Sequence, residues 1–487
     1  DYNIKSIILD ELSKFLGFAL GPIASSAFGL ITVPVVAWAF SAEDVGRLNV
    51  LQVTLSFCLL LVVLGLDQAY VREFQESANR SLLLKACFVP GFMLLMAGGV
   101  LAVAFNPQIS QLLYGVAEPV SFWITLASVV AAFIARFLSL ILRMQERGLA
   151  FSMSQVIPKA LFLIILGIIF LLELQRNFTT LLLAFSVSNM AVVVVCMWNT
   201  RAQWRPAITA RLDKKQVQPL LQFGCPLIFS GLAYWGLVAT SSVALRSLSS
   251  FSELGIYSIT TSIAGVAAIF QSIFTVVWAP IVYKWVAGGV DVLRIDRVAR
   301  QALAMVCAIF LTCGIFSWLV DYLLPAQYNT VKYLVICAIV QPLLYTLSEI
   351  TCVGIGISRR TVLTIWVTVA ALCANVLLSL WLVPLHGAAG AVVANAIAYW
   401  VFFVARTEAS AWVWRQLPRG RLYVFTGLAV ALSVATVALG DKLPFHYALV
   451  WLTSAPAVGW CFRAELAELM AASRSAWGQR GNTHRAT

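Results

Sequence analysis

The chain has 487 residues, of which 61% are hydrophobic and 11% charged, with a mean hydropathy of +0.90. A soluble domain carries about 25% charged residues, so soluble, disordered and collagen-like classes are excluded. The net charge of +12 would suggest nucleic acid in a soluble chain, but here its position along the membrane topology decides its meaning.

The apolar residues fall into stretches of about 20, each able to cross a bilayer core of about 30 Å as a helix. An outer-membrane barrel, built from short alternating strands, does not fit. The pattern predicts an all-α polytopic membrane protein of fourteen spans, at about 13–40, 48–71, 81–105, 119–143, 150–172, 177–199, 219–246, 256–282, 299–320, 330–357, 361–384, 388–413, 421–440 and 444–462. The opening DYNIKSIILDELSKF lacks the pattern of a signal peptide.

An even number of spans puts both termini on one side. Odd-numbered connections hold Arg47, Arg176, Arg246, Lys332 and Lys442, whereas the even-numbered ones are strongly basic. The longest, RAQWRPAITARLDKKQVQP, carries Arg201, Arg205, Arg211, Lys214 and Lys215. The positive-inside rule therefore predicts cytoplasmic termini and a cytoplasmic basic loop. No nucleic-acid partner is needed.

The ten cysteines lie in apolar surroundings, without a Cys-x-x-Cys pair or a Cys/His cluster, so neither a metal nor a cofactor is expected. His386 and His446 read as surface residues on short outer loops, and His484 lies in the tail.

A faint repeat runs through the chain. Ser252-Glu253-Leu254-Gly255 echoes Glu43-Asp44-Val45-Gly46, Pro226 echoes Pro22, Arg359-Arg360 echoes Arg147, and Asn395 echoes Asn189, all at offsets of roughly 204 to 212 residues. A repeat of six helices keeps its orientation, which predicts two six-helix lobes related by a parallel pseudo-two-fold axis, with a cavity between them. The expected boundaries are 1–200 for the first lobe, 201–218 for the basic linker and 219–415 for the second lobe. A C-terminal helix pair, 416–463, and a cytoplasmic tail, 464–487, complete the chain.

Ionisable groups at membrane depth are costly and face a cavity or a partner. Arg136 lies on span four, and Arg143 and Arg147 fall within roughly 20° of it around the helix. Arg143 and Arg147 either extend that stripe or anchor the helix end by snorkelling. Lys159 follows Pro158 near the middle of span five, one turn beyond Gln155. Asp67 and Glu349 are the carboxylates clearly within spans; they either pair with these cations or couple ions. Arg72 and Arg246 either carry a cationic surface to the two mouths or serve as interfacial anchors. A cationic chamber suits a diphosphate or an acidic sugar.

LGLDQAYVREF (64–74), VWAPIVYKW (277–285) and WLVPLHGAAGAVVANAIAYWVFFVAR (381–406) together resemble the polysaccharide transporter family, the Wzx-type O-antigen and oligosaccharide flippases of the multidrug/oligosaccharidyl-lipid/polysaccharide exporter superfamily. The resemblance covers essentially the whole chain. It implies a non-enzymatic flippase in the bacterial inner membrane that moves an undecaprenyl-diphosphate-linked oligosaccharide to the periplasmic leaflet by alternating access. A polysaccharide polymerase and a chain-length regulator are implied partners. The family's cationic chamber maps onto Arg72, in LGLDQAYVREF, and less directly onto Arg136 and Lys159. Spans thirteen and fourteen correspond to a pair that forms a lipid-tail groove in the related lipid II flippases.

Two relatives within the superfamily compete with this reading. A lipid II-type flippase differs only in cargo. A cation-coupled multidrug exporter uses embedded carboxylates, and span one has none beyond Glu11 at its start while spans seven and eight have none. A polytopic polymerase or ligase would need external catalytic groups. The longest external connection, NPQISQLLYGVAEP, holds Glu118 as its single ionisable side chain.

Overall fold

The computed structural model describes residues 2–212, 214–288, 293–442, 444–465 and 467–468, and these residues form helices joined by turns and short irregular connections, without strands. The expected tail 464–487 lies almost wholly outside the described residues, as do His484 and the side chain of His446. Two compact units divide the chain, Asp1–Ser262 and Ile263–Thr487.

The first unit begins with α1 (Tyr2–Ala39) and α2 (Ala42–Val63), joined at Ser41, whose hydroxyl accepts from the Asp44 amide as an N-cap. The short α3 (Leu66–Glu73) follows α2 after a break at Leu64 (φ 55°) and Gly65 (φ 68°). There follow α4 (Arg80–Ala104), α5 (Asn106–Tyr114), α6 (Pro119–Met144), α7 (Gly148–Leu171), α8 (Phe178–Asn199), α9 (Arg201–Thr209), α10 (Lys214–Leu248) and the start of α11 (Phe251–Ala287). The second unit holds the rest of α11, then α12 (Leu293–Phe316), α13 (Val320–Leu323), α14 (Val331–Ala338), α15 (Val340–Thr351), α16 (Val353–Ile357), α17 (Val362–Val413), α18 (Gly420–Leu439) and α19 (Pro444–Cys461).

Among the described residues, twelve helical segments are long and apolar enough to span a bilayer. The 52-residue α17 counts once but bends at Gly387 (φ 52°, ψ −127°), so it contains the predicted spans 361–384 and 388–413. The shorter apolar segment Leu449–Cys461 lies within the predicted span 444–462 and is not among the twelve.

Two expected loops are helices. NPQISQLLYGVAEP forms α5, opened by Asn106-Pro107 and closed by Gly115 in the left-handed region (φ 72°). The basic stretch after span six begins with α9, whose last carbonyls, at Ile208 and Ala210, accept from the Lys85 ammonium at 2.8 and 2.7 Å.

Large apolar side chains lie outward, among them Met93, Val100, Leu101, Trp198, Trp366, Leu377 and Trp381. Small polar groups pair inward instead: Ser128 Oγ donates to Ser186 Oγ at 2.8 Å, and the Thr351 and Thr407 hydroxyls meet at 2.7 Å. That inversion is expected where lipid replaces water and packing is driven by close contact and internal hydrogen bonds. In the first unit the core gathers round the α2–α3 break, where the rings of Phe88, Phe133 and Phe137 meet at centroid distances of 5.0 to 5.5 Å.

Candidate functional site

The break before α3 is made by close backbone packing. A Cβ on Gly65 would lie 2.3 Å from the Gly224 carbonyl oxygen of α10, and one on Gly224 would lie 2.5 Å from that of Leu64. On α4, a Cβ at Gly91 would come 2.3 Å from the Val62 carbonyl oxygen. Three glycines thus let neighbouring helices pinch the chain where its ladder is interrupted.

Asp67 stands just beyond that break, on the first turn of α3, and is 7% exposed. Its Oδ1 accepts from the Gln68 amide at 2.8 Å, while its Oδ2 accepts from Arg136 Nη2 at 2.6 Å and Nε at 3.2 Å. The Arg136 side chain is 51% exposed. The carboxylate is therefore buried and committed, whereas the guanidinium keeps one edge open and can bind a further anion.

The other expected residues divide clearly. Arg72 shares α3 with Asp67, is 60% exposed, and lies over the Phe223 ring at 4.7 Å. Arg143 is exposed near the end of α6, about 10 Å along the helix from Arg136, and has no partner among the described residues. Arg147 instead donates to the Asn199 carbonyl at 2.7 Å and to its side chain at 3.2 Å, tying the turn before α7 to the end of α8. Lys159 is exposed on α7, likewise without a hydrogen bond or ion pair among the described residues.

Arg246, at the end of α10, donates to the carbonyls of Leu113 (2.9 Å) and Leu112 (2.7 Å) and stacks over Phe251 at 4.5 Å. Arg47 adds a bond to the Tyr114 carbonyl at 3.0 Å. Two cations thus hold the C-terminal end of α5, where the helix dipole favours positive charge. This geometry gives Arg246 a structural task at that end, apart from the Asp67–Arg136 pair.

Glu349 pairs with Arg406, a residue the span-by-span reading missed. Arg406 Nη1 lies 2.6 Å from Glu349 Oε1 and 2.9 Å from Ser348 Oγ, with both charged side chains at or below 15% exposure. The guanidinium sits over the rings of Tyr345 (5.6 Å) and Phe402 (5.3 Å). The signal was present: α17 runs on to Val413, which leaves Arg406 about 10 Å inside the helix end. Among the described residues no group of three or more His, Cys, Asp or Glu side chains is placed to hold a metal ion.

Residues 12–285 match the polysaccharide biosynthesis protein family over more than half of the chain. The chain belongs to that family. Among solved structures, this polysaccharide biosynthesis protein is similar to the lipid II flippase MurJ in an inward closed conformation. That likeness has a TM-score of 0.64 at 13% identity and covers 95% of this chain and 100% of that one. It is also similar to an inward-facing multidrug resistance MATE transporter of the MOP superfamily, with a TM-score of 0.55 at 16% identity, covering 80% and 95%. At such identities the likeness shows a shared fold. No curated protein matches the chain. The family and fold make the protein a multi-pass membrane protein of transporter or flippase architecture, connected to polysaccharide biosynthesis.

Proposed function

We propose that the protein is a flippase for an undecaprenyl-diphosphate-linked oligosaccharide, carrying an O-antigen or similar repeat unit from the cytoplasmic to the periplasmic leaflet of the bacterial inner membrane. The observation that carries this reading is the half-open Arg136, held by the buried carboxylate of Asp67 with one edge unspent. An unpaired diphosphate in hydrocarbon costs several kcal/mol even after relaxation. A preset guanidinium offsets that cost, and Lys159, Arg72 and Arg143 supply further uncommitted or exposed cations on α7, α3 and α6. The polyprenyl chain stays in lipid throughout, so only the headgroup needs a polar route.

In this reading lobes 1–200 and 219–415 alternate access around that route, both termini are cytoplasmic, and 416–463 accompanies the lipid tail. A polymerase and a chain-length regulator receive the product. Asp67 and Glu349 serve to orient arginines.

The test is loss of surface polysaccharide in cells carrying Arg136→Ala or Lys159→Ala at matched protein level. Wild-type polysaccharide in both variants would overturn the assignment of the site.

A further inference from the structure

A second cationic feature lies in unit two, apart from the groups used above. A cavity of about 400 Å³ opens between the start of α12 and the turn from α17 to α18. Its polar wall is Arg300, Arg421 and Asp296, and its floor is formed by the buried Leu303, Leu417 and Leu422. Asp296 brings no free charge, because Arg415 grips it with two parallel bonds, Nη2 to Oδ1 at 2.5 Å and Nη1 to Oδ2 at 3.2 Å. Arg421 reaches the Cys461 carbonyl at 3.0 Å and faces Glu465 at 3.4 Å, yet stays 50% exposed. Arg300 is exposed, with no partner among the described residues.

Two further features give the cavity an amphipathic character. Arg294 stands in the first turn of α12, the helix end where the dipole disfavours cations, Arg297 and Arg300 follow on the next turn, and none of the three has an acid partner among the described residues. An anion there removes the conflict. On α18, Arg421 heads an exposed face that continues through Val424 and Leu428, at the three- and four-residue steps of one helix stripe. A charged head thus leads into an apolar track. The positive-inside rule accounts for basic connections, but not for a cavity with an apolar floor beneath two of the arginines.

We propose that this cavity binds the phosphate headgroup of an anionic membrane phospholipid, with its acyl chains along the Val424–Leu428 face. Arg300 and Arg421 supply charge-assisted hydrogen bonds to the phosphodiester, and the first turn of α18, which has no side-chain cap, adds backbone amides. By the charge distribution of the sequence this end lies at the cytoplasmic leaflet.

The experiment uses the full chain and reads binding, independently of transport. The protein is purified in nanodiscs of phosphatidylcholine doped with phosphatidylglycerol, and retained lipid is counted by native mass spectrometry. Preferential retention of phosphatidylglycerol is expected. Arg300→Gln and Arg421→Gln should each weaken it about fivefold, while Arg300→Lys keeps most of it. An Arg176→Gln control should match the wild type. Equal retention of the two lipids, or an unchanged count in both glutamine variants, would overturn the proposal. So would inorganic phosphate displacing the lipid at equal concentration, which would mark a free-anion site. Unfolding temperatures in pure phosphatidylcholine should agree between wild type and Arg300→Gln; since Arg300 touches no described partner, any lost lipid is then a binding effect.

Discussion

Gly46 and Gly255, matched positions of the faint sequence repeat, pack backbone against backbone. A Cβ on Gly46 would lie 2.0 Å from the Phe251 carbonyl oxygen, and one on Gly255 would lie 1.9 Å from that of Ala42. The first turns of α2 and α11 therefore cross at van der Waals limits, flanked by Arg47 and Arg246 on the end of α5. Both glycines belong to the motifs that echo each other in the sequence.

Gly46→Ala and Gly255→Ala each force carbonyl and methyl apart, since backbone rather than a flexible side chain stands in the way. Each should destabilise the protein by about 1–3 kcal/mol, read as a lower unfolding temperature in detergent. Gly29→Ala, inside α1 where a Cβ meets nothing within 4 Å, is the control and should leave the temperature unchanged or raise it slightly.

Arg136→Ala leaves the Asp67 carboxylate buried without its cation. A fully buried pair broken in this way costs about 3–5 kcal/mol, and the exposure of the guanidinium brings the expectation down to about 1–3 kcal/mol. Asp67→Asn combined with Arg136→Gln removes both charges and should recover most of the stability. If Arg136 also meets the cargo, polysaccharide export stays lost in the stable double variant. Recovery of export together with stability would assign the pair a purely structural role.

Arg406→Met should be more damaging to the fold than Arg136→Ala, because both members of its pair are buried. Adding Glu349→Leu should restore the unfolding free energy to within about 1 kcal/mol of wild type. Failure of that rescue would show that Arg406 has a further task.

Arg246→Ala frees the carbonyls of Leu112 and Leu113 at the C-terminal end of α5. Hydrogen exchange over residues 106–115 should accelerate about tenfold, corresponding to roughly 1.4 kcal/mol for the charged hydrogen bonds lost. Headgroup binding should be unaffected. A loss of binding with unchanged exchange would return Arg246 to the substrate path.

Much of the architecture was legible because lipid imposes one rule, an apolar run long enough to cross, and charge bias orients the runs. What escaped follows from the same rule. α5 is too short and too polar to read as a span, although Asn106-Pro107 and Gly115 mark its two ends. The break at Leu64–Gly65 lies inside an unbroken apolar stretch and depends on Gly91 and Gly224, which are distant in sequence. Arg136 and Asp67 were both singled out as embedded charges, but their pairing spans 69 residues and needs the fold. Arg406 was hidden by its nearness to the end of an apolar segment. The predicted span 388–413 already contained it, seven residues from the end at Val413, where a cation reads as an interfacial anchor.

The central claim is movement of a lipid-linked oligosaccharide, and its most direct test is leaflet-resolved. The purified protein is reconstituted into sealed vesicles carrying the lipid-linked repeat unit, and outward-facing sugar is measured with a membrane-impermeant oxidant over time. The account predicts oxidation of essentially all the glycolipid with wild-type protein, and only the fraction initially facing outward with the Arg136→Ala, Lys159→Ala double variant. A wild-type trace that stops at the same plateau as protein-free vesicles would contradict it.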